Sequence, residues 1–260
     1  MAAILDVQLN PATSTWPDLL ERAEAAEAAG YGAVWTFDHL AGSSLRGDTM
    51  LEAFTLLGAL ATSTSRVELG TMVANVYNRS PALLAVAAAS VTAISGRQVH
   101  VGIGAGSGPD SRWSGEMRAI GQPVGPTMAA RHQRLVDTLD VLHRMYDPDR
   151  PAELATFPRP EPAPAVIVGA NGPALAALAG HRADGVNVGW DHPRRDELLA
   201  AAIAARGSRH GFVLTTWLVW SPELLDPAHP TRTAMDGLDR VILVVPSTVS
   251  AATLAAHQVP

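Results

Sequence analysis

The chain has 260 residues, 47% of them hydrophobic and 17% charged, which is enough for one large domain with a sizeable core. A net charge of −6 with no basic cluster argues against a nucleic-acid partner, and the absence of cysteine excludes disulfides, thiolate catalysis and cysteine-ligated metal. All 19 basic residues are arginine, so no lysine is present to form a Schiff base. Met1–Asp6 lacks a basic region followed by a long apolar run, and no apolar run reaches about 18 residues. A cytoplasmic protein with no membrane contact is the expectation.

In chain order, Ile4–Leu9 reads as a short apolar strand and Pro17–Ala29 as a helix stopped by Gly30. Ala33–Phe37 is a strand ending in Asp38-His39, and Met50–Thr62 is a helix. Arg66–Asn75 is a strand of unusual length, either plain or bulged. Pro81–Ile94 is a helix closed by Gly96, Gln98–Gly106 a strand, and Ser107–Gly125 a loop carrying Trp113, Glu116 and Arg118. Pro126–Tyr146 is a long helix, followed by an irregular proline-rich connection over 147–164. Strands at Ala165–Ala170, Gly185–Trp190, Phe212–Trp220 and Arg240–Val245 then alternate with helices at Gly172–His181, Pro193–Ala205, near Pro230–Gly237 and at Ser247–His257. Eight strands alternating with eight helical segments predict parallel strands with helical crossovers, and hence a single (β/α)8 barrel, a TIM barrel, over residues 1–260. A doubly wound open sheet is the alternative.

Function in such a barrel collects at the C-terminal ends of the strands. The fourth strand is the most unusual, with glycine at every second position from Gly102 to Gly108. One face is therefore bare backbone, either packed tightly by the protein or backing a flat ligand near Gly104, Ala105, Gly106 and Ser107. The spacing is not that of a dinucleotide fingerprint. Asp38-His39 is the best acid–base pair, with a capping aspartate and a polar rim residue as the plainer reading. Gly169-Ala170-Asn171-Gly172 precedes a helix opened by Pro173, which suits either a bound phosphate or an ordinary asparagine-capped turn. Ala74 lies near the end of the third strand, and Trp35, Trp190, Trp217 and Trp220 could stack on a planar ligand or pack in the core. No metal-binding, serine-hydrolase or P-loop pattern occurs.

Several runs together resemble the bacterial luciferase-like monooxygenase superfamily, whose members are flavin- or deazaflavin-dependent (β/α)8 enzymes. These are A-E-A-A-G-Y-G-A-V-W-T-F-D-H (26–39), L-L-G-A-L-A-T-S-T-S-R-V-E-L-G-T-M-V-A-N (56–75), N-R-S-P-A-L-L-A (78–85), I-S-G-R (94–97) leading into V-G-I-G-A-G, and I-V-G-A-N-G-P-A-L-A-A-L-A-G-H-R-A-D-G-V (167–186). The resemblance implies a ring at the barrel mouth, backed by a bulge with a non-proline cis peptide at Thr71, Met72 and Val73. It implies a cofactor phosphate on Gly169–Gly172, and Asp38 and His39 beside the ring, with His39 moving a proton and Asp38 orienting it. The V-G-A-N-G-P version looks closest to the branch that uses coenzyme F420.

On this reading the protein is an F420-dependent oxidoreductase exchanging a hydride with a small organic substrate. The alternatives are an FMN-dependent monooxygenase served by a flavin reductase partner, and a non-catalytic flavin-binding barrel. A homodimer is compatible with the family. Two positions depart from its sugar-phosphate dehydrogenases: Ser107 stands where they carry a glutamate, and Ala41-Gly42-Ser43 where they carry a tryptophan. Their activity is therefore not carried over. The connections on either side of the seventh strand also look short for the family.

Overall fold

The computed structural model describes residues 3–259. Its strands are β1 (Ile4–Leu9), β2 (Ala33–Thr36), β3 (Glu68–Asn75), β4 (Val99–Gly104), β5 (Ala165–Gly169), β6 (Gly185–Gly189), β7 (Val213–Val219) and β8 (Arg240–Val244). They close into a parallel barrel in sequence order, so the open-sheet alternative is excluded. The helices are α1 (Trp16–Ala29), α2 (Ala53–Ser63), α3 (Pro81–Ser95), α4 (Gly115–Ala119), α5 (Met128–Tyr146), α6 (Pro173–Arg182), α7 (Arg195–Arg206), α8 (Pro230–Thr233) and α9 (Ala251–Ala256). Strand ends differ from the sequence expectation by one or two residues, because pairing stops before the apolar run does.

Local chemistry accounts for the helix boundaries. The Thr15 hydroxyl accepts from the Asp18 amide and the Asp18 carboxylate accepts from the Thr15 amide, a reciprocal cap that opens α1. Ser80 caps α3 ahead of Pro81, and Gly30 and Gly96 end α1 and α3 in the left-handed region, at φ +92° and +64°. The loop expected over 107–125 holds the one-turn helix α4, too short to show a period in sequence.

Parallel pairing fixes which side chains enter the barrel. Gln8 lies beside Trp35, Trp35 beside Gly70, Gly70 beside His100, and Gly102 beside Ile167. The interior is stratified. At its N-terminal end Arg240 pairs with Asp6 (2.8 and 3.0 Å) and with Glu68 (2.6 Å), and Glu68 meets His100 Nε2 at 2.8 Å. The Trp35 indole donates to Asp6 and stacks on His100, with centroids 5.2 Å apart. Above this charged plug Trp35, Met72, Ile167 and Ile242 form an apolar layer. A much larger core fills the space between strands and helices.

Glu27 ties α1 to the chain entering β3. Its carboxylate accepts from the amides of Ser65, Arg66 and Val67 and from the Ser65 hydroxyl. Burial pushes this carboxyl up, but those donors outweigh burial and hold it at about 2. A carboxyl depressed in the folded state contributes stability above its unfolded pKa and loses it as pH falls through the folded value. The urea midpoint of the wild type is therefore expected to drop between about pH 4.5 and about pH 2. Glu27→Gln should lower the midpoint at neutral pH and flatten that acid limb. A limb unchanged by the substitution would remove Glu27 as its source.

Candidate active site

β3 is long because it bulges. It pairs with β4 from Leu69 to Thr71, then resumes at Ala74 opposite Ile103, so the two residues between face one on β4. The Met72–Val73 peptide within the bulge is cis. Gln8, buried on β1, donates from Nε2 to the Met72 carbonyl at 2.6 Å. The bulge and its cis bond fall where the family resemblance puts them.

The space beside the β4 glycines is taken by this bulge. A Cβ on Gly102 would stand 2.2 Å from the Thr71 carbonyl oxygen, and one on Gly104 would stand 2.7 Å from a Val73 methyl. A Cβ on Gly169 would lie 3.0 Å from the other Val73 methyl. Of the two readings of the bare β4 face, tight packing is the one seen at Gly102 and at Gly104, where a neighbouring strand fills the surface. β4 also ends at Gly104, so Gly106 lies in the following turn, at φ +76°, and does not continue the strand face.

Above Val73 the barrel is open. Trp217 and Val219 belong to the inward-facing set on β7, yet they are 44% and 59% exposed. Val73 and Val244 are half-buried on the same rim. On the β5 side, a Cβ on Gly172 would meet nothing within 4 Å. The amides of Asn171 and Gly172 donate to no protein group among the described residues. Gly172, and not Asn171, is the N-cap of α6, and it supplies no side-chain cap. That corner is therefore an open set of N–H donors at a helix start.

Asp38 and His39 do not form a pair. The Asp38 side chain is fully buried and accepts two hydrogen bonds from Arg79, at 2.7 and 2.8 Å, and one from the Asn75 amide at 2.9 Å. Arg79 also meets Glu52 at 2.7 Å, and Asn78 donates to the Asp38 carbonyl. Burial alone would pull the Arg79 guanidinium down, but the two carboxylates outweigh it and raise it above its usual range. Asp38 is therefore a strut between the ends of β2 and β3. The expected orienting role and direct cofactor contact of Asp38 are both corrected, because its oxygens are already committed.

His39 instead faces Glu116 of α4. Its Nδ1 lies 2.8 Å from Glu116 Oε1, and its ring meets the Trp113 ring with centroids 5.5 Å apart. Glu116 Oε2 accepts from the amides of Leu40 and Ala41 and from the Ser44 hydroxyl, each at 2.9 Å. In the sequence Glu116 falls in a loop and carries no assigned role. Its signal is faint: a lone acidic residue in a short segment, 77 positions from its partner.

The remaining expected residues divide. Thr71 and Ala74 are buried on the outer side of β3, the Thr71 hydroxyl donating to the Gly102 carbonyl, so only their backbone borders the bulge. Ala105 and Ala170 are buried, and Ser107 is half-buried with its carbonyl accepting from Ser114. Trp190 carries the Arg195 guanidinium 3.9 Å above its ring, beside a cleft of about 330 Å³ over residues 190–197. That ring face serves Arg195 and is not a free stacking surface. Among the described residues there is no cluster of three metal-capable side chains and no helix long and apolar enough to cross a membrane.

A family model described as luciferase-like monooxygenase matches residues 4–215. The chain belongs to this family. An F420-dependent hydroxymycolic acid dehydrogenase of Mycobacterium tuberculosis is 31% identical over 215 residues, 76% of this chain and 56% of that protein. A 5,10-methylenetetrahydromethanopterin reductase of Archaeoglobus fulgidus is 27% identical over 197 residues, 72% of this chain and 53% of that protein. The luciferase-like chain described here thus spans about half the length of these curated relatives. Among solved structures, an F420-dependent secondary alcohol dehydrogenase in complex with an F420-acetone adduct superposes with a TM-score of 0.77 at 17% identity, over 98% of this chain and 97% of that one. At that identity the likeness shows the shared fold.

The interlock of β3 with β4 has a measurable signature. Gly102→Ala pushes against a backbone oxygen and is expected to cost about 1–3 kcal/mol in urea unfolding, whatever stands at Val73. Gly104→Ala pushes against a side chain, so Val73→Ala should recover most of its cost. A double-mutant cycle showing no coupling between Gly104 and Val73 would contradict the packing described.

Proposed function

We propose that this chain is an F420-dependent oxidoreductase that exchanges a hydride between the deazaflavin and a small organic substrate at the barrel mouth. The observation that carries this reading is the open rim above Val73, together with the unpartnered amides that follow β5 and the partly exposed His39 that follows β2. The names of relatives sharing about 30% identity support F420 over FMN. A bound deazaflavin supplies a ring carbon that gives or takes a hydride and that does not readily activate oxygen.

The residues present fit such a group. Val73 is an apolar floor for a planar ring, held by the β4 and β5 glycines behind it. Trp217 and Val219 are exposed apolar side chains that a bound ring would cover, shielding the reacting face from water. The amides of Asn171 and Gly172, at the positive end of α6, suit the phosphate of the cofactor tail. His39 Nε2 has no protein partner among the described residues and would hold or release the proton that accompanies hydride transfer. Asp38 takes no part in the proton step and keeps β2 and β3 in register at the rim.

Titration with F420 and, separately, with FMN, followed by tryptophan fluorescence, tests the reading. Saturable quenching by F420 and none by FMN is expected. His39→Ala should slow hydride exchange by about 10²-fold or more and leave F420 affinity unchanged. Binding of FMN with no binding of F420 would overturn the assignment in favour of a flavin monooxygenase. F420 binding with no hydride exchange across a panel of alcohols, sugar phosphates and enones would leave a cofactor-binding barrel.

A further inference from the structure

We propose that Glu116 is the positioning residue for His39, fixing its imidazole as the Nδ1–H tautomer and reserving Nε2 for proton exchange. The consequence for turnover rests on the proposed function, but the tautomer does not.

The argument begins with hydrogen-bond inventory. The Glu116 side chain is 2% exposed, and both oxygens are occupied. Oε2 takes three donors, of which the Leu40 and Ala41 amides can only donate. Oε1 has the His39 Nδ1 as its partner. Burial pushes the Glu116 carboxyl up, but the His39 contact and the amides of Ala41 and Leu40 outweigh it and hold the carboxyl below its usual range. Glu116 is therefore a carboxylate near neutral pH and has no proton to give. The hydrogen between Oε1 and Nδ1 must belong to the imidazole. A neutral imidazole carries a single N–H, so Nε2 keeps its lone pair.

The surroundings preserve that orientation. The Trp113 ring lies against the imidazole and itself carries the Arg112 guanidinium at 3.9 Å. The Ser114 hydroxyl donates to the Gly108 carbonyl at 2.8 Å, closing the segment that delivers both Trp113 and Glu116. Asp38 cannot substitute, because Arg79 and the Asn75 amide consume its oxygens. The carboxylate on this histidine thus comes from nine positions beyond Ser107, across the rim.

Glu116→Gln separates positioning from packing. The Leu40 and Ala41 amides demand an oxygen at the Oε2 position, so the glutamine carbonyl must sit there. Its NH₂ then faces His39 Nδ1, and two donors cannot share one bond. The imidazole is forced to accept at Nδ1 and to carry its proton on Nε2, which reverses the tautomer. Glu116→Asp keeps the charge and should retain the original tautomer.

Long-range proton–nitrogen spectra of the ¹⁵N-histidine-labelled full chain without cofactor, at alkaline pH, read this directly. The His39 signal is assigned by its loss in His39→Asn. A protonated Nδ1 and bare Nε2 are expected in the wild type and in Glu116→Asp, with the reverse in Glu116→Gln. A wild-type spectrum with the proton on Nε2, or a tautomer unmoved by Glu116→Gln, overturns the proposal. Should Glu116→Gln fail to fold, the wild-type spectrum alone decides. In the F420 assay, Glu116→Gln is expected to lose about 10²-fold in turnover with F420 affinity intact, and Glu116→Asp to recover part of it. A tautomer that follows Glu116 in a protein that does not turn over F420 would sink the functional reading while leaving the positioning role standing.

Discussion

The constraint on which the mouth of this barrel depends is the interlock between the bulge of β3 and the side-chain-free positions of β4 and β5. An extra residue in a closed barrel cannot be absorbed by sliding a strand, since every strand is paired on both sides. The room has to come from a neighbour. It comes from Gly102, where a Cβ would collide with the Thr71 carbonyl oxygen, and from Gly104 and Gly169, which admit Val73. The Met72 carbonyl is answered by Gln8 across the barrel, so the bulge leaves no orphaned acceptor there. The floor of the mouth is thus a packing solution: Val73 stands where it does because two strands were thinned to fit a third.

Two carboxylates then divide work that a reading of adjacent residues gives to one. Asp38 and His39 are neighbours in sequence, yet their side chains leave the end of β2 in different directions. Asp38 turns into a buried, saturated ion pair with Arg79. Removing one member of such a pair leaves an uncompensated charge, so its first contribution is to the placement of the strand ends. Glu116, arriving from another connection, meets the imidazole.

Much of the architecture was legible in the chain. Parallel strands covered on both faces read as apolar runs, and Pro17, Pro81, Gly30 and Gly96 mark helix ends by their own backbone preferences. The length of the third strand hinted at a bulge, though only the family resemblance located it. The glycine pattern marks a cleared face, and at Gly102 and Gly104 it is the bulge of β3 that fills it. Periodicity tells which residues share a face but not which neighbour comes to fill it. The role of Glu116 is hard to read from the sequence for a different reason. Its role arises from a one-turn helix with no period and from a contact spanning 77 residues, and no local propensity encodes either.

The interior layers set the two ends of the barrel apart. At the N-terminal end, Arg240 is balanced by Asp6 and Glu68, and Glu68 is engaged by His100 Nε2, so that end holds paired charges, with His100 Nδ1 left without a partner among the described residues. The Trp35, Met72, Ile167 and Ile242 layer then separates this plug from the mouth. A reacting group at the rim therefore feels the nearer loops more than the distant charges, and those loops are tied to one another. Asp38 joins the end of β2 to Asn75, the last residue of β3, and to Arg79 beyond it, while Glu116 joins the connection after β4 to His39, Leu40 and Ala41 beyond β2. Three successive connections are thereby linked through two buried carboxylates. His39 owes its placement to that linkage as much as to the strand it follows, so a change at Arg79 can reach the imidazole without touching it.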